Sequence, residues 1–366
     1  MTTATAGGRH VTIIGAGIVG ISCALWLQRD GHRVTVIDRL PPGEGTSFGN
    51  AGLIQTGACV PIATPGVLRQ VPKMLLDPKG PLVVQWRYLP QISPWLVRFI
   101  AAARPDRVEQ ISIALAALLD RARDGYAPLI KGAAADDLVR PLGELYVYKR
   151  EASYRAHAPF HDLRRRRGVN VVDLPPEELR QLEPALAPIF HRGVLLPDSM
   201  ATANPFRFTR RLAESFVAGG GTIVQEAVTG IEMAGRRPAR VVTDRGAHAV
   251  DRLVLASGAW SKPWAATLGI RVPLDTERGY HMMLPDPGIS LRVAILSGDH
   301  RFAITPMVDG VRLAGTAELA GLVRPPNYAR AEMLVPMAQE LLPGLNAAGG
   351  VRWMGHRPSL PDSLPV

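Results

Sequence analysis

The sequence predicts an α/β protein: a parallel sheet flanked by helices, in a chain with room for a second domain. Three observations point there. A strand, a glycine-rich turn, a helix and a second strand follow one another within residues 10–39. At 366 residues the chain exceeds what one small core requires, so two domains are expected. The balance of 47% hydrophobic and 20% charged residues is that of a globular protein.

The first segment, HVTIIGAGIVGISCALWLQRDGHRVTVIDR, carries most of the information. Val11, Ile13 and Ile14 form a short apolar run, as in a strand buried on both faces of a parallel sheet. Gly15, Gly17 and Gly20 follow in G-x-G-x-x-G spacing, with Ala16 and Ile18 between them. Ile21, Ala24, Leu25 and Leu27 give a helical stripe, with Cys23 expected to be buried on it and Gly31 as the stop. RVTVID (33–38) is the second strand. In such a unit Gly15 permits the tight turn, Gly17 admits a pyrophosphate, and Gly20 allows close packing of the helix. The helix N-terminus supplies unpaired N–H groups and partial positive charge to phosphates. Asp38 ends the second strand, where a carboxylate accepts from ribose hydroxyls; Arg39 follows it. An acid there disfavours a 2′-phosphate, leaving FAD or NAD.

Composition excludes other classes. The net charge is +10, carried largely by arginine runs such as DLRRRRGVNVV (162–172) and GRRPAR (235–240). These read as solvated surface arginines; no aromatic residues interleave them, so no nucleic-acid partner is expected. Two cysteines, Cys23 and Cys59, are too few for a disulfide framework or a zinc site, and no metal is expected. There is no run of 18 apolar residues and no signal-peptide pattern, so a cytoplasmic protein is expected. WRYLPQISPWLVRFI (86–100) sets Trp86, Tyr88, Trp95 and Phe99 beside Arg87 and Arg98. It reads as a cover on the second domain or as peripheral contact with the inner face of a membrane.

EGTSFGNAGLIQTG (44–57), taken alone, is a surface loop. It resembles the loop after the second strand in the D-amino-acid oxidase family of flavoenzymes, and more narrowly that of the D-amino-acid dehydrogenases. Thr46, Ser47, Asn50, Ala51, Gly52 and Leu53 carry the match. The resemblance extends through GGGTIVQEAVTGIEM (219–233), DRLVLASGAWS (251–261) and ITPMVDGVRLAGTAE (304–318), the last read as a hairpin turning at Asp309-Gly310. It implies noncovalent FAD. The 44–57 loop would wrap pyrophosphate and flavin, Val228 would meet the adenine, and a buried strand running into Ser257, Gly258 and Trp260 would close over the cofactor.

The resemblance also implies a Rossmann-type FAD-binding domain interleaved with an α+β substrate domain on a mostly antiparallel sheet. The FAD-binding segments would be 8–60, 195–270 and 350–366, and the substrate domain 61–194 and 271–349. GELYVYKR (143–150) reads as a strand and LPPEELRQLEPAL (174–186) as a proline-bounded helix.

The implied reaction is oxidation of a D-amino acid: hydride leaves Cα for flavin N5 and the imine is hydrolysed. No side-chain base is required if the amine binds neutral. A substrate carboxylate does need a clamp, and arginine's planar fork suits it. Arg357, in Gly355-His356-Arg357-Pro358, resembles the family's carboxylate-binding arginine; it also fits a structural arginine holding the next turn. Tyr280, in TERGYHMML, is the second candidate, or a half-buried strand tyrosine. His281 and His356 stand beside them without an assigned role.

GHRPSLPDSLPV (355–366) further resembles the group acting on D-proline and hydroxy-D-proline, cyclic imino acids. An oxygen-using amine oxidase of the sarcosine or glycine oxidase kind stays open beside a dehydrogenase passing electrons to a quinone. So does a flavoprotein subunit inactive alone. In related enzymes the same stretch leads into a strand, a glycine-rich loop and a helix. The resemblance therefore implies a missing tail, with weak FAD binding in a chain of this length.

Overall fold

A computed structural model of the chain describes residues 8–77 and 80–366. Residues 1–7, part of the N-terminal stretch in which no signal-peptide pattern is read, lie outside the described residues. The chain forms two compact units: 1–48, 126–136 and 205–274 make the first, and 49–125, 137–204 and 275–366 the second.

The first unit is built on four parallel strands in the order Thr222–Gln225, Arg33–Asp38, His10–Ile14, Arg252–Leu255. The apolar runs that predicted the first two strands are buried: Ile13, Val36 and Ile37 have no exposure. Helices Ile18–Arg29 and Pro205–Ala218 pack against one another, where Gln28 donates to the carbonyls of Phe216 (3.1 Å) and Gly219 (2.8 Å). An antiparallel meander of Val228–Ala234, Arg237–Thr243 and Ala247–Ala249 contributes Ile231 and Val241 to a core with Ile14 and Ile37. Arg252–Leu255, expected to be buried, is half-exposed because it is an edge strand here. Cys23 is likewise only partly buried.

The second unit centres on a nine-stranded, mostly antiparallel sheet. Its order is Val351–Ser359, Asp275–Leu284, Gly310–Leu319, Phe302–Met307, Ala294–Ser297, Glu144–Tyr148, Arg192–Leu196, Val172–Leu174, with Leu82–Val84 beside the end of Gly310–Leu319. Residues 350–366, read from sequence with the FAD-binding segments, pack in this unit: Val351–Ser359 pairs along its whole length with Asp275–Leu284. Leu145, Val147, Tyr280, Ile304 and Leu313 on one face form the main core with helix Leu334–Leu341.

Local expectations meet particular geometry. The proline-bounded helix runs Pro176–Leu182, stopping two residues before Pro184. The hairpin turns on Val308-Asp309 rather than Asp309-Gly310, because Met307 pairs with Gly310. Gly310 opens the return strand at φ +123°, and a Cβ there would overlap the Leu284 carbonyl. The 162–172 arginines are not all solvated. Arg164 is buried and donates to the Gly57 carbonyl (3.2 Å) and the Tyr146 hydroxyl (3.0 Å), while Arg167 pairs with Glu109.

Candidate active site

In the first unit the glycine turn is held from two sides. Gly15 sits at φ +115°, and its N–H donates to the Ile37 carbonyl (2.9 Å). A Cβ there would lie 2.6 Å from the carbonyl carbon of Ala256 and 2.9 Å from Ser257 N, so only glycine lets the fourth strand end beside the turn. Gly20 faces the Gly15 carbonyl so closely that a Cβ would overlap it. Gly17 caps the helix, and a Cβ there would meet Ser47 Oγ at 3.2 Å.

The surrounding polar groups converge on this turn. Ser47 Oγ accepts the Ile18 N–H (2.9 Å), tying the one-turn helix Thr46–Phe48 to the helix start. Asp38 accepts the N–H of Ala16 (2.7 Å) and of Leu40 (3.0 Å). The Glu226 N–H donates to the Asp38 carbonyl (2.9 Å), which brings the start of the Val228 strand to the same end. Gly258 at φ +56° turns the chain after Ser257, and Trp260 lies 5.0 Å beneath the Arg39 guanidinium. No acidic residue occupies the first turn of Ile18–Arg29, so its positive end stays available to phosphate. A cradle that side chains would fill, a helix N-terminus with no acidic residue in its first turn and an acid at the strand end fit the pyrophosphate and ribose of FAD. Thirteen of the expected cofactor residues belong to this unit: Gly15, Ala16, Gly17, Ile18, Gly20, Asp38, Arg39, Thr46, Ser47, Val228, Ser257, Gly258 and Trp260.

The remaining four, Asn50, Ala51, Gly52 and Leu53, belong to the second unit. Asn50 Oδ1 accepts the Gly52 N–H (2.8 Å), a local turn. Gly52, at φ +74°, passes its carbonyl to the Thr202 N–H (2.6 Å) as Leu53 pairs with Ala201. The large sheet holds this loop down. Arg312 donates to the Asn50 carbonyl (2.8 Å). His281 Nδ1 is 2.8 Å from the Gly49 carbonyl; a carbonyl only accepts, so Nδ1 carries the proton. Burial, with Arg312 nearby, lowers the His281 pKa to about 4, keeping the ring neutral at pH 7. Its ring stacks on Trp353 (4.9 Å, 20°), and Trp353 covers Gly49 so tightly that a Cβ there would overlap the indole.

Arg357 shares that face. Strand alternation puts Glu277, Gly279 and His281 on one side, opposite Arg357, Gly355 and Trp353. The Arg357 guanidinium crosses Gly279 and donates to the carbonyls of Thr316 (3.3 Å) and Gly315 (3.4 Å). The bed of strand atoms lowers its pKa, while the carboxylate of Glu277 opposes that shift. Ser359 anchors Glu277 through a 2.6 Å hydrogen bond.

Tyr280 does not join them. Alternation turns it to the other face, into the main core, where it is 1% exposed. Its hydroxyl donates to Glu318 (2.5 Å) and accepts from the Asn327 N–H (3.0 Å). Burial and Glu318 push its pKa up to about 12. The expectation that Tyr280 meets a carboxylate beside Arg357 is therefore corrected. Gly49, Gly279, Arg312 and Trp353 were missed. Isolated glycines inside or beside strands, a sign of close approach, were the available signal. Among the described residues no cluster able to hold a metal is found.

The chain is similar to known proteins along nearly its whole length. Residues 10–366 match the model for "DAO: FAD dependent oxidoreductase". The chain is 37% identical over 365 residues to a D-amino-acid oxidase of Bradyrhizobium diazoefficiens, covering 98% of this chain and 86% of that one. It is 32% identical over 363 residues to a D-amino acid dehydrogenase of Allorhizobium ampelinum, covering 97% and 86%. Glycine oxidase from Bacillus cereus shares the fold, with a TM-score of 0.69 at 19% identity over 97% of this chain and 84% of that one. So does L-proline dehydrogenase from P. horikoshii, with a TM-score of 0.68 at 18% identity over 98% and 83%. With a dinucleotide cradle in one unit and the match running from Val11's strand to the last residue, the chain belongs to the DAO family of FAD-dependent oxidoreductases.

Proposed function

We propose that this enzyme oxidises a D-amino acid at Cα, with Arg357 holding the substrate carboxylate. The observation that carries the reading is that Arg357 and the anchored Gly49–Leu53 loop share one face of the large sheet. FAD, bound noncovalently, supplies the two-electron acceptor when present. Asn50, Ala51, Gly52 and Leu53 would face the flavin, and the cradle residues of the first unit would hold its phosphates, ribose and adenine. The Arg357 fork orients the carboxylate, which fixes where Cα points. Neutral His281, donating to Gly49 through Nδ1, holds the loop. Segments 8–60 and 195–270 would serve FAD binding, and 61–194 with 271–349 would shape the substrate site.

Within this class we favour small or cyclic substrates such as D-proline and hydroxy-D-proline, on the likeness of residues 355–366 to that group. Turnover of D-proline, cis-4-hydroxy-D-proline and D-alanine with an artificial acceptor tests this. Activity with none of the three refutes the proposed class. Peroxide formed without added acceptor would replace the dehydrogenase reading by an oxidase.

A quinone acceptor reached from a membrane surface is supported by one patch. Trp86 is 71% exposed and Val97 67%, beside exposed Arg87 and Arg98, while Trp95 and Ile92 pack inward against Leu319. Among the described residues no helix is long and apolar enough to cross a membrane. Flotation with anionic vesicles at low salt tests attachment; protein left at the bottom of the gradient refutes it.

A further inference from the structure

We infer that Tyr280 and Glu318 govern affinity for the substrate carboxylate without touching it, by holding the bulge whose carbonyls receive Arg357. The inference rests on the proposed role of Arg357.

The bulge is visible in the register. Arg278 pairs with Glu318 and Tyr280 with Gly315, so two steps on one strand face three on the other. The extra residue leaves the ladder and bends its strand. Thr316 takes the strain: it lies at φ +57°, a conformation β-branched residues seldom adopt. Such strain persists only where the surroundings over-determine it. Arg357 donates to the Thr316 carbonyl and to that of Gly315 beside it. Gly315 is itself confined, since a Cβ there would lie 2.6 Å from Phe302 Cβ.

The restraint comes from the opposite face. Glu318, 1% exposed, ends the bulge. Its Oε2 accepts the Tyr280 hydroxyl at 2.5 Å and lies 3.9 Å from Arg278, and its Oε1 accepts from Gln85 at 2.8 Å. Arg278 in turn donates to the carbonyls of Gly321 (2.8 Å) and Pro325 (3.1 Å). Tyr280 also accepts the Asn327 N–H, so the hydroxyl clamps both ends of the segment that leaves the bulge. Core-face residues thus fix carbonyl directions on the Arg357 face. Tyr280 and Glu318 are positioning residues.

The test uses the FAD-loaded full chain, with benzoate as a probe bearing a carboxylate and no amine, read by perturbation of the flavin spectrum. Tyr280→Phe and Glu318→Ala are expected to weaken benzoate binding and raise KM for D-amino acid about 5- to 30-fold, the factor that one or two kcal/mol produces. Saturating kcat and FAD retention should stay near wild type. Glu318→Gln, which keeps an acceptor for Tyr280, should recover most of the loss. Should Glu318→Ala fail to fold, Tyr280→Phe carries the test, since it deletes one oxygen. Benzoate binding unchanged in Tyr280→Phe but lost in Arg357→Ala overturns this inference alone. Binding unchanged in Arg357→Ala overturns the clamp, and this inference with it.

Discussion

Arg357 lies across Gly279. Its guanidinium occupies the space that a side chain on residue 279 would fill, on its way from one strand to the carbonyls two strands away. Gly279→Ala is therefore expected to displace the guanidinium without removing its charge. KM for the amino acid should rise roughly 10- to 150-fold, the range set by losing a charge-assisted hydrogen bond worth about 1.5–3 kcal/mol. Saturating kcat should change far less. Steady-state kinetics over a wide substrate range separates the two.

Ser47 links the one-turn helix to the start of the dinucleotide-binding helix through Ile18. Ser47→Ala leaves that N–H without its oxygen and should destabilise the apoprotein by about 1 kcal/mol. A lowered thermal midpoint of the apoprotein, with secondary structure unchanged by circular dichroism, is the expected result.

Stability should fall in acid for a specific reason. In the unfolded chain His281 titrates near 6.5, but in the fold only at about 4. Between these values the unfolded state binds more protons. The stabilisation is full above pH about 6.5 and is lost as pH falls toward 4, by up to about 3 kcal/mol. His161, lowered to about 3 by burial and Arg164, extends the loss to lower pH. Denaturant titrations at several pH values should give a steeper fall from 6.5 to 4 in wild type than in His281→Asn.

Trp353 supports Gly49 and His281 from below. Trp353→Ala should loosen the 49–53 loop and weaken FAD retention, read as flavin released on dilution. Trp353→Phe should retain most of the affinity.

The first unit was legible in sequence because its signal is local. Only Gly20 answers to a near neighbour, the Gly15 carbonyl; Gly15 and Gly17 meet Ala256 and Ser47 far along the chain, but the G-x-G-x-x-G spacing between two apolar strands signals their roles without those partners. Tyr280 was not legible, because its face depends on which strand parity points to the core. TERGYHMML offers polar residues on both sides, and buried Arg278 stands on the core side where an apolar residue would be expected. Arg312 and Trp353 were missed since each acts on Gly49 or Asn50, more than 250 positions away in the chain. The edge exposure of Arg252–Leu255 depends on sheet order, which an apolar run does not encode.

The role proposed for Arg357 is to bind the carboxylate of a D-amino acid for oxidation by FAD. Anaerobic mixing of the FAD-loaded protein with D-proline, D-alanine and their L-forms tests it most directly, in wild type and Arg357→Ala. Flavin bleaching by at least one D-form and by neither L-form is expected, with Arg357→Ala needing far higher substrate for the same rate. A flavin left oxidised by every D-amino acid, or bleached equally well in Arg357→Ala at low substrate, would contradict it.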